Sequence, residues 1–114
     1  MRVTSDLFVS ALLRRVFSSG GYGAVTRRGA TEAGAIFVTV RGRDGSVNLY
    51  GPAAQADYAE GGVGDRRFTV VLAATDVEVD KRLQKEARFD PDVWVVEVEP
   101  GADPIEALLS LTTP

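Results

Sequence analysis

The chain has 114 residues with no His, no Cys, one Met and one Trp; 45% are apolar, 25% are charged, and the formal net charge is -3. Such a length and composition fit one small globular domain. They exclude a Ser-His-Asp triad, a cysteine nucleophile, a Cys/His zinc site and any disulfide, so stability rests on a packed core. In chain order, Thr4 or Ser5 caps a first helix, and Asp6 suits the positive end of its dipole. Val9, Leu12, Leu13, Val16 and Phe17 follow helical spacing, and Gly20-Gly21 ends the helix. Tyr22 to Arg28 reads as a short strand and Ala35 to Val40 as a central, apolar, β-branched one. Asp44-Gly45 between apolar runs signals a hairpin returning through Val47 to Tyr50. Ala53 to Ala56 can form a helical turn, and Glu60 to Asp65 reads as a Gly-rich loop without the Lys and Ser/Thr of a phosphate loop. Arg66 to Leu72 is a fourth strand, with Phe68, Val70 and Leu72 on one face. Thr75 and Glu78 match a capping box, opening a helix to about Arg88 with Val79, Leu83 and Ala87 as its apolar stripe and Glu78–Arg82 as an ion pair. Pro91 forces a turn, and Val93 to Glu99 is a fifth strand with Trp94, Val96 and Val98 on one face. Asp103 caps a last short helix carrying Ile105, Leu108 and Leu109.

The expected architecture is α+β: a single, mixed, mostly antiparallel five-stranded sheet with packed helices, in the order α-β-β-β-β-α-β-short α. Residues 1–114 form one domain, with 101–114 a short C-terminal helical tail. The step from Phe68 to Glu99 has room for a parallel crossover. So short a last helix is unstable alone and must dock on the body or on a second chain.

The charge is unevenly spread. Residues 1–59 carry a net +3 and residues 60–114 a net -6, and the bases are eleven Arg against two Lys. The acidic balance disfavours a general polyanion binder. The N-terminal apolar run is broken by Ser10 and stopped by Arg14 and Arg15, unlike an export signal. No apolar stretch approaches the roughly 20 residues of a membrane-spanning helix. A cytoplasmic location follows as the expectation.

Four stretches carry a resemblance: Ser5 to Arg15, Arg28 to Val38, Asn48 to Ala53, and Glu86 to Glu97, which includes Arg88-Phe89-Asp90-Pro91-Asp92-Val93-Trp94. Together they resemble an uncharacterised alphaproteobacterial family, domain of unknown function 1491. The resemblance runs to about Glu99, with Arg88 to Glu97 its most specific part. It implies a compact bacterial domain and brings no activity, cofactor or site.

Three groups of residues are chemical candidates. Asp90, Asp92, Glu97 and Glu99 offer oxygen ligands for a hard cation, but Asp92 and Glu99 lie about 23 Å apart along one strand, so all four cannot share an ion. The plainer reading is a turn and solvated or Arg-paired carboxylates. The Arg pairs, Arg14-Arg15 among them, can bind an acidic ligand if they converge. Adjacent residues on a strand point to opposite faces, and no aromatics interleave with the bases, which weakens nucleic-acid binding. Pairing with the acidic half, within the chain or across a dimer, is the simpler role. Trp94 and Tyr50 are core residues or interface aromatics.

The sequence therefore favours a non-enzymatic binding or interaction module that self-associates as a homodimer, without cofactor, metal, membrane or nucleic acid. The alternative is a small carboxylate- or Mg-dependent enzyme acting on a phosphorylated or acidic metabolite, which requires Arg88, Asp90, Asp92 and Glu97, or a subset of them, to converge in one pocket.

Overall fold

The computed structural model describes residues 3–53 and 66–112. The expected turn after Ala53 and the Gly-rich stretch from Glu60 to Asp65 lie outside the described residues. The chain runs α1 (Ser5–Ser18), β1 (Tyr22–Arg27), β2 (Ile36–Arg41), β3 (Val47–Pro52), β4 (Arg67–Ala74), α2 (Asp76–Phe89), β5 (Trp94–Glu99), α3 (Ile105–Leu108) and β6 (Ser110–Leu111). The six strands form one sheet in the order β1-β5-β2-β3-β4-β6. Pairing is antiparallel except for β2 with β5 and β4 with β6. The chain therefore leaves β4 through α2, passes over β3 and β2, and re-enters as β5 parallel to β2. This is the mixed, mostly antiparallel α+β fold expected, with a sixth strand added. Two residues are too few for strand periodicity to register, so the tail read as helix alone.

Alternation along the strands divides the core between the two faces of the sheet. On one face, Ile36, Val38, Val40, Tyr50, Phe68, Trp94, Val96 and Val98 pack with Val9, Leu12 and Val16 of α1 and with Ile105, Leu108 and Leu109 of the tail. On the other, Phe37, Val47, Leu49 and Val93 pack with Val79, Leu83 and Ala87 of α2. Both apolar helix stripes read from the sequence therefore meet the sheet, with one exception. Phe17 is 53% exposed and stands edge-on to Tyr22, itself 51% exposed, with ring centroids 6.1 Å apart.

Local chemistry sets several boundaries. Gly20 and Gly45 adopt φ of +84° and +86°, at the end of α1 and in the hairpin turn between β2 and β3, where side chains are disfavoured. Thr75 accepts a hydrogen bond from the Glu78 amide, as the capping box requires. Its hydroxyl also donates to Glu78, and the i,i+4 pair in this helix is Arg82–Glu86 at 2.8 Å in place of Glu78–Arg82. Thr4 is the N-cap residue of α1 and its carbonyl accepts from the Phe8 amide, but its side chain caps no backbone amide. The Ser5 and Asp6 amides instead donate to the carbonyls of Glu32 and Thr31, each at 3.0 Å. Asp103 does not cap α3, whose N-cap position is Pro104. In β4 a register shift opposite Leu49 and Tyr50 admits an extra residue. The bulge sends Leu72 to the α2 face, away from Phe68, so the expected Phe68-Val70-Leu72 face is broken.

Candidate functional site

Where α2 turns into β5, the Asp92 amide donates to Asp90 Oδ1 at 3.0 Å, and the Val93 amide donates to the Asp90 carbonyl at 3.3 Å. These carboxylates shape the turn, as Asp does where its side chain replaces a backbone acceptor. Arg88 is exposed on the last turn of α2. Trp94 is 1% exposed, and its indole N–H donates to the Ala30 carbonyl at 2.7 Å. The Arg28 guanidinium lies 5.1 Å from the centre of its ring. The Ala30 amide donates to the Asp92 carbonyl, and the Trp94 amide to that of Ala35. Gly29 permits this closeness, because a Cβ there would fall on the Asp92 carbonyl and the indole. Two of the stretches singled out in the sequence, Arg28 to Val38 and Glu86 to Glu97, thus form one junction that locks the start of β5 to the loop before β2.

Glu97 lies elsewhere. It is at the far end of β5, 3.5 Å from Arg41, whose guanidinium also holds Asp76 at 2.9 Å. Asp76 begins α2 and Arg88 and Asp90 end it, a span of about 20 Å at 1.5 Å per residue. The structure therefore does not bring all four of Arg88, Asp90, Asp92 and Glu97 together: the first three lie at the α2–β5 junction and Glu97 lies beside Arg41. No group of three or more acidic residues among the described residues is placed to hold a metal ion. Asp76, hydrogen-bonded to Arg41, is held below the ordinary carboxylate value of 3.8. The paired Arg41 is held well above its own ordinary value. Asp44, which accepts from the hydroxyl and amide of Ser46, is likewise lowered.

The arginines also act singly. Arg15 donates to the Ala107 and Leu108 carbonyls of α3. Arg27 donates to the Pro91 carbonyl at 3.1 Å, and Arg66 to the Val3 carbonyl and the buried Ser5 hydroxyl. Arg14 is exposed on α1. These arginines therefore tie element ends together through carbonyls and a hydroxyl, while Arg41 and Arg82 pair with carboxylates. Arg41 was visible only as one of several bases. Its partners come from two distant elements, and no spacing along the chain announces them.

The sheet edges were not legible at all. β1 is an end strand whose only partner among the described residues is β5. Tyr22 stands opposite Glu99 and Arg27 opposite Val95. One end of this edge thus carries the exposed Phe17–Tyr22 pair and the exposed carboxylate of Glu99; the other carries Arg27 and the exposed Arg28. An unpaired strand edge presents free N–H and C=O groups to any incoming strand, and exposed aromatics are enriched at interfaces. This edge is the candidate functional surface.

Comparison with known proteins places the chain among solved structures. A family model described as "Protein of unknown function (DUF1491)" matches residues 3–105. The solution structure of protein Atu0922 from A. tumefaciens is 49% identical, with a TM-score of 0.85 over 100% of this chain and 98% of that one. A crystal structure of a DUF1491 family protein from Caulobacter crescentus CB15 is 30% identical, with a TM-score of 0.79 over 96% and 99% of the two chains. An NMR structure of a DUF1491 family protein from the same organism gives 30% and 0.78 over 98% of each. No functionally curated protein matches. The likeness extends past Glu99, where the sequence resemblance stopped, and takes in the tail.

Proposed function

The chain belongs to the DUF1491 family of proteins of unknown function, and from that premise we propose that it is a non-enzymatic interaction domain that self-associates as a two-fold dimer through the β1 edge. The observation that carries this reading is the polarity of that edge. Antiparallel self-pairing of one strand is isologous, so each end meets the opposite end of the other copy. Phe17, Tyr22 and Glu99 of one copy then approach Arg27 and Arg28 of the other, matching aromatic faces and a carboxylate with guanidinium groups. Pairing also satisfies main-chain groups and joins the two sheets into one. The tail supplies no motive for dimerisation, since it is docked on its own chain. A one-domain unit is supported by the single sheet, which draws strands from both halves of the sequence. An alphaproteobacterial source is supported by the organisms of the matching structures. A cytoplasmic location is supported by the absence of cysteine.

Light scattering on the full chain tests the reading. At high micromolar concentration and low salt the expected mass is twice 12.2 kDa. Tyr22→Asp, which sets an acid beside Glu99 on the exposed edge, yields a monomer with an unchanged spectrum. Val77→Asp, at a 63% exposed site on α2, leaves the dimer intact. A wild-type monomer under these conditions overturns the proposal, as does a dimer indifferent to Tyr22→Asp.

A further inference from the structure

Strand β1 is irregular at one place. Its residues stand opposite β5 as Tyr22 to Glu99, Gly23 to Val98, Ala24 to Glu97, Val25 to Val96 and Arg27 to Val95, so Thr26 is an extra residue that β5 does not match. Such a bulge shifts the alternation of the strand by one position. Opposed residues of an antiparallel pair share a face of the sheet. Val96 and Val98 belong to the core beneath α1, so Gly23 and Val25 hold positions on that face, and Val25 packs against the same core. Tyr22, Ala24 and Arg27 hold positions on the other face, in line with Glu99, Glu97 and Val95. Without the extra residue, Arg27 would fall on the face of Gly23 and Val25. Its guanidinium is held at this end of the edge by the Pro91 carbonyl at 3.1 Å.

We propose that the bulge at Thr26 sets one register for the self-pairing of β1, in which Ala24 faces Ala24 of a second copy on the two-fold axis, Gly23 faces Val25, and Tyr22 faces Arg27. This inference rests on the β1 dimer proposed above and specifies which residues of the two copies meet. A slip of one residue sends every side chain to the wrong face, so the axis must pass through a residue and never between two. An axis through Ala24 opposes all five paired positions of the strand. An axis through Gly23 sets Tyr22 opposite Ala24 and brings Glu99 of one copy into the same row as Glu97 of the other, where like charges repel. An axis through Val25 sets Tyr22 and Glu99 level with Gly29, beyond the end of the second copy's strand at Arg27. The Ala24 register instead forms a row of Glu99, Tyr22 and the second copy's Arg27, with an acid on one side of the ring and a guanidinium on the other. The α1 face fits as well. Leu13 Cδ2 lies 2.6 Å from where a Cβ on Gly23 would stand, so glycine leaves that leucine its place, and the second copy's Val25 comes to lie beside it.

The chain has no cysteine, so any disulfide formed by a single-cysteine variant joins two copies. In the proposed register the two Ala24 Cα atoms lie about 4.5–5.5 Å apart, within the disulfide range of about 4.4–6.8 Å. The two Val25 positions are diagonal neighbours at about 7–8 Å, beyond it. Full-length Ala24→Cys and Val25→Cys are oxidised at high micromolar concentration and low salt, after light scattering has read their mass with reductant present. The expected result is that both scatter as dimers, that Ala24→Cys becomes a covalent dimer with a native spectrum, and that Val25→Cys keeps the single-chain mass of 12.2 kDa on a denaturing gel. Should Ala24→Cys fail to fold, a mixture of Tyr22→Cys and Arg27→Cys chains gives the same reading, each linking to the other and neither to itself. Chains that scatter as dimers but link through Val25→Cys in preference, or through none of these positions, overturn the register and leave self-association standing. Chains that scatter as monomers overturn the self-pairing itself.

Discussion

Trp94 shows how one side chain ties local sequence to tertiary structure. It is buried, its N–H is used, and its ring lies beneath Arg28. Trp94→Phe keeps most of the apolar contact but leaves the half-buried Ala30 carbonyl with only the 3.4 Å bond from the Gly34 amide. Denaturant unfolding should record a loss of about 0.5–1.5 kcal/mol, the usual net worth of one hydrogen bond. Arg41 works by charge. Because its contact holds the Asp76 carboxyl below 3.8 in the folded chain, folding favours the ionised form. This contribution is present above the unfolded value and is lost as pH falls through the folded one. Stability should therefore drop on acidification below about pH 4, and Asp76→Asn should make that drop shallower in thermal melts taken across pH. An unchanged acid profile in Asp76→Asn contradicts this role. Of the two roles that the sequence leaves open for Trp94, core or interface, its 1% exposure matches the core. The Arg41 contacts were not legible, since they join residues 35 and 56 positions apart.

Among the elements, those governed by short-range chemistry were legible. The Asp44-Gly45 turn, the Thr75 cap and the α2 stripe each depend on residues within a few positions of one another. The features that escaped depend on a neighbour supplied by the fold. The bulge in β4 appears only when β3 lies alongside. Phe17 continues the apolar spacing of α1, yet in the last turn only Val16 reaches the sheet, and Phe17 faces outwards against Tyr22. Strand β6 is defined wholly by β4. The tail itself is an integral part of the core: Ile105, Leu108 and Leu109 are all less than a tenth exposed, and Arg15 fastens α3 to α1. Leu108→Ala should cost about 2–5 kcal/mol in chemical denaturation, as a truncated core leucine does. A change below 0.5 kcal/mol would show the tail to be loosely held.

For the molecule as a whole, the sequence indicated strands, helices and the room for a crossover, but not the strand order. Whether β5 would insert between β1 and β2 depends on pairings far apart in the chain. The β1 edge, on which both proposals rest, exists only once that order is known. The asymmetry of charge was visible from the outset, and the structure redistributes its meaning. Some of it joins elements within the chain, as Arg41 does with Asp76 and Glu97, while exposed charges of opposite sign, Glu99 and Arg28, stand at opposite ends of β1. Attraction between those ends is screened by salt, with a Debye length of about 10 Å at 0.1 M, so raising the salt concentration should weaken the dimer. The most direct test of β1 pairing is residue-resolved amide exchange across a dilution series of the wild-type chain. The account predicts that the β1 amides not bonded to β5 exchange slowly at high micromolar concentration and quickly on dilution, while β2 and β5 stay protected throughout. Fast exchange of those outward amides at every concentration, or concentration-dependent protection confined to another part of the molecule, would contradict it.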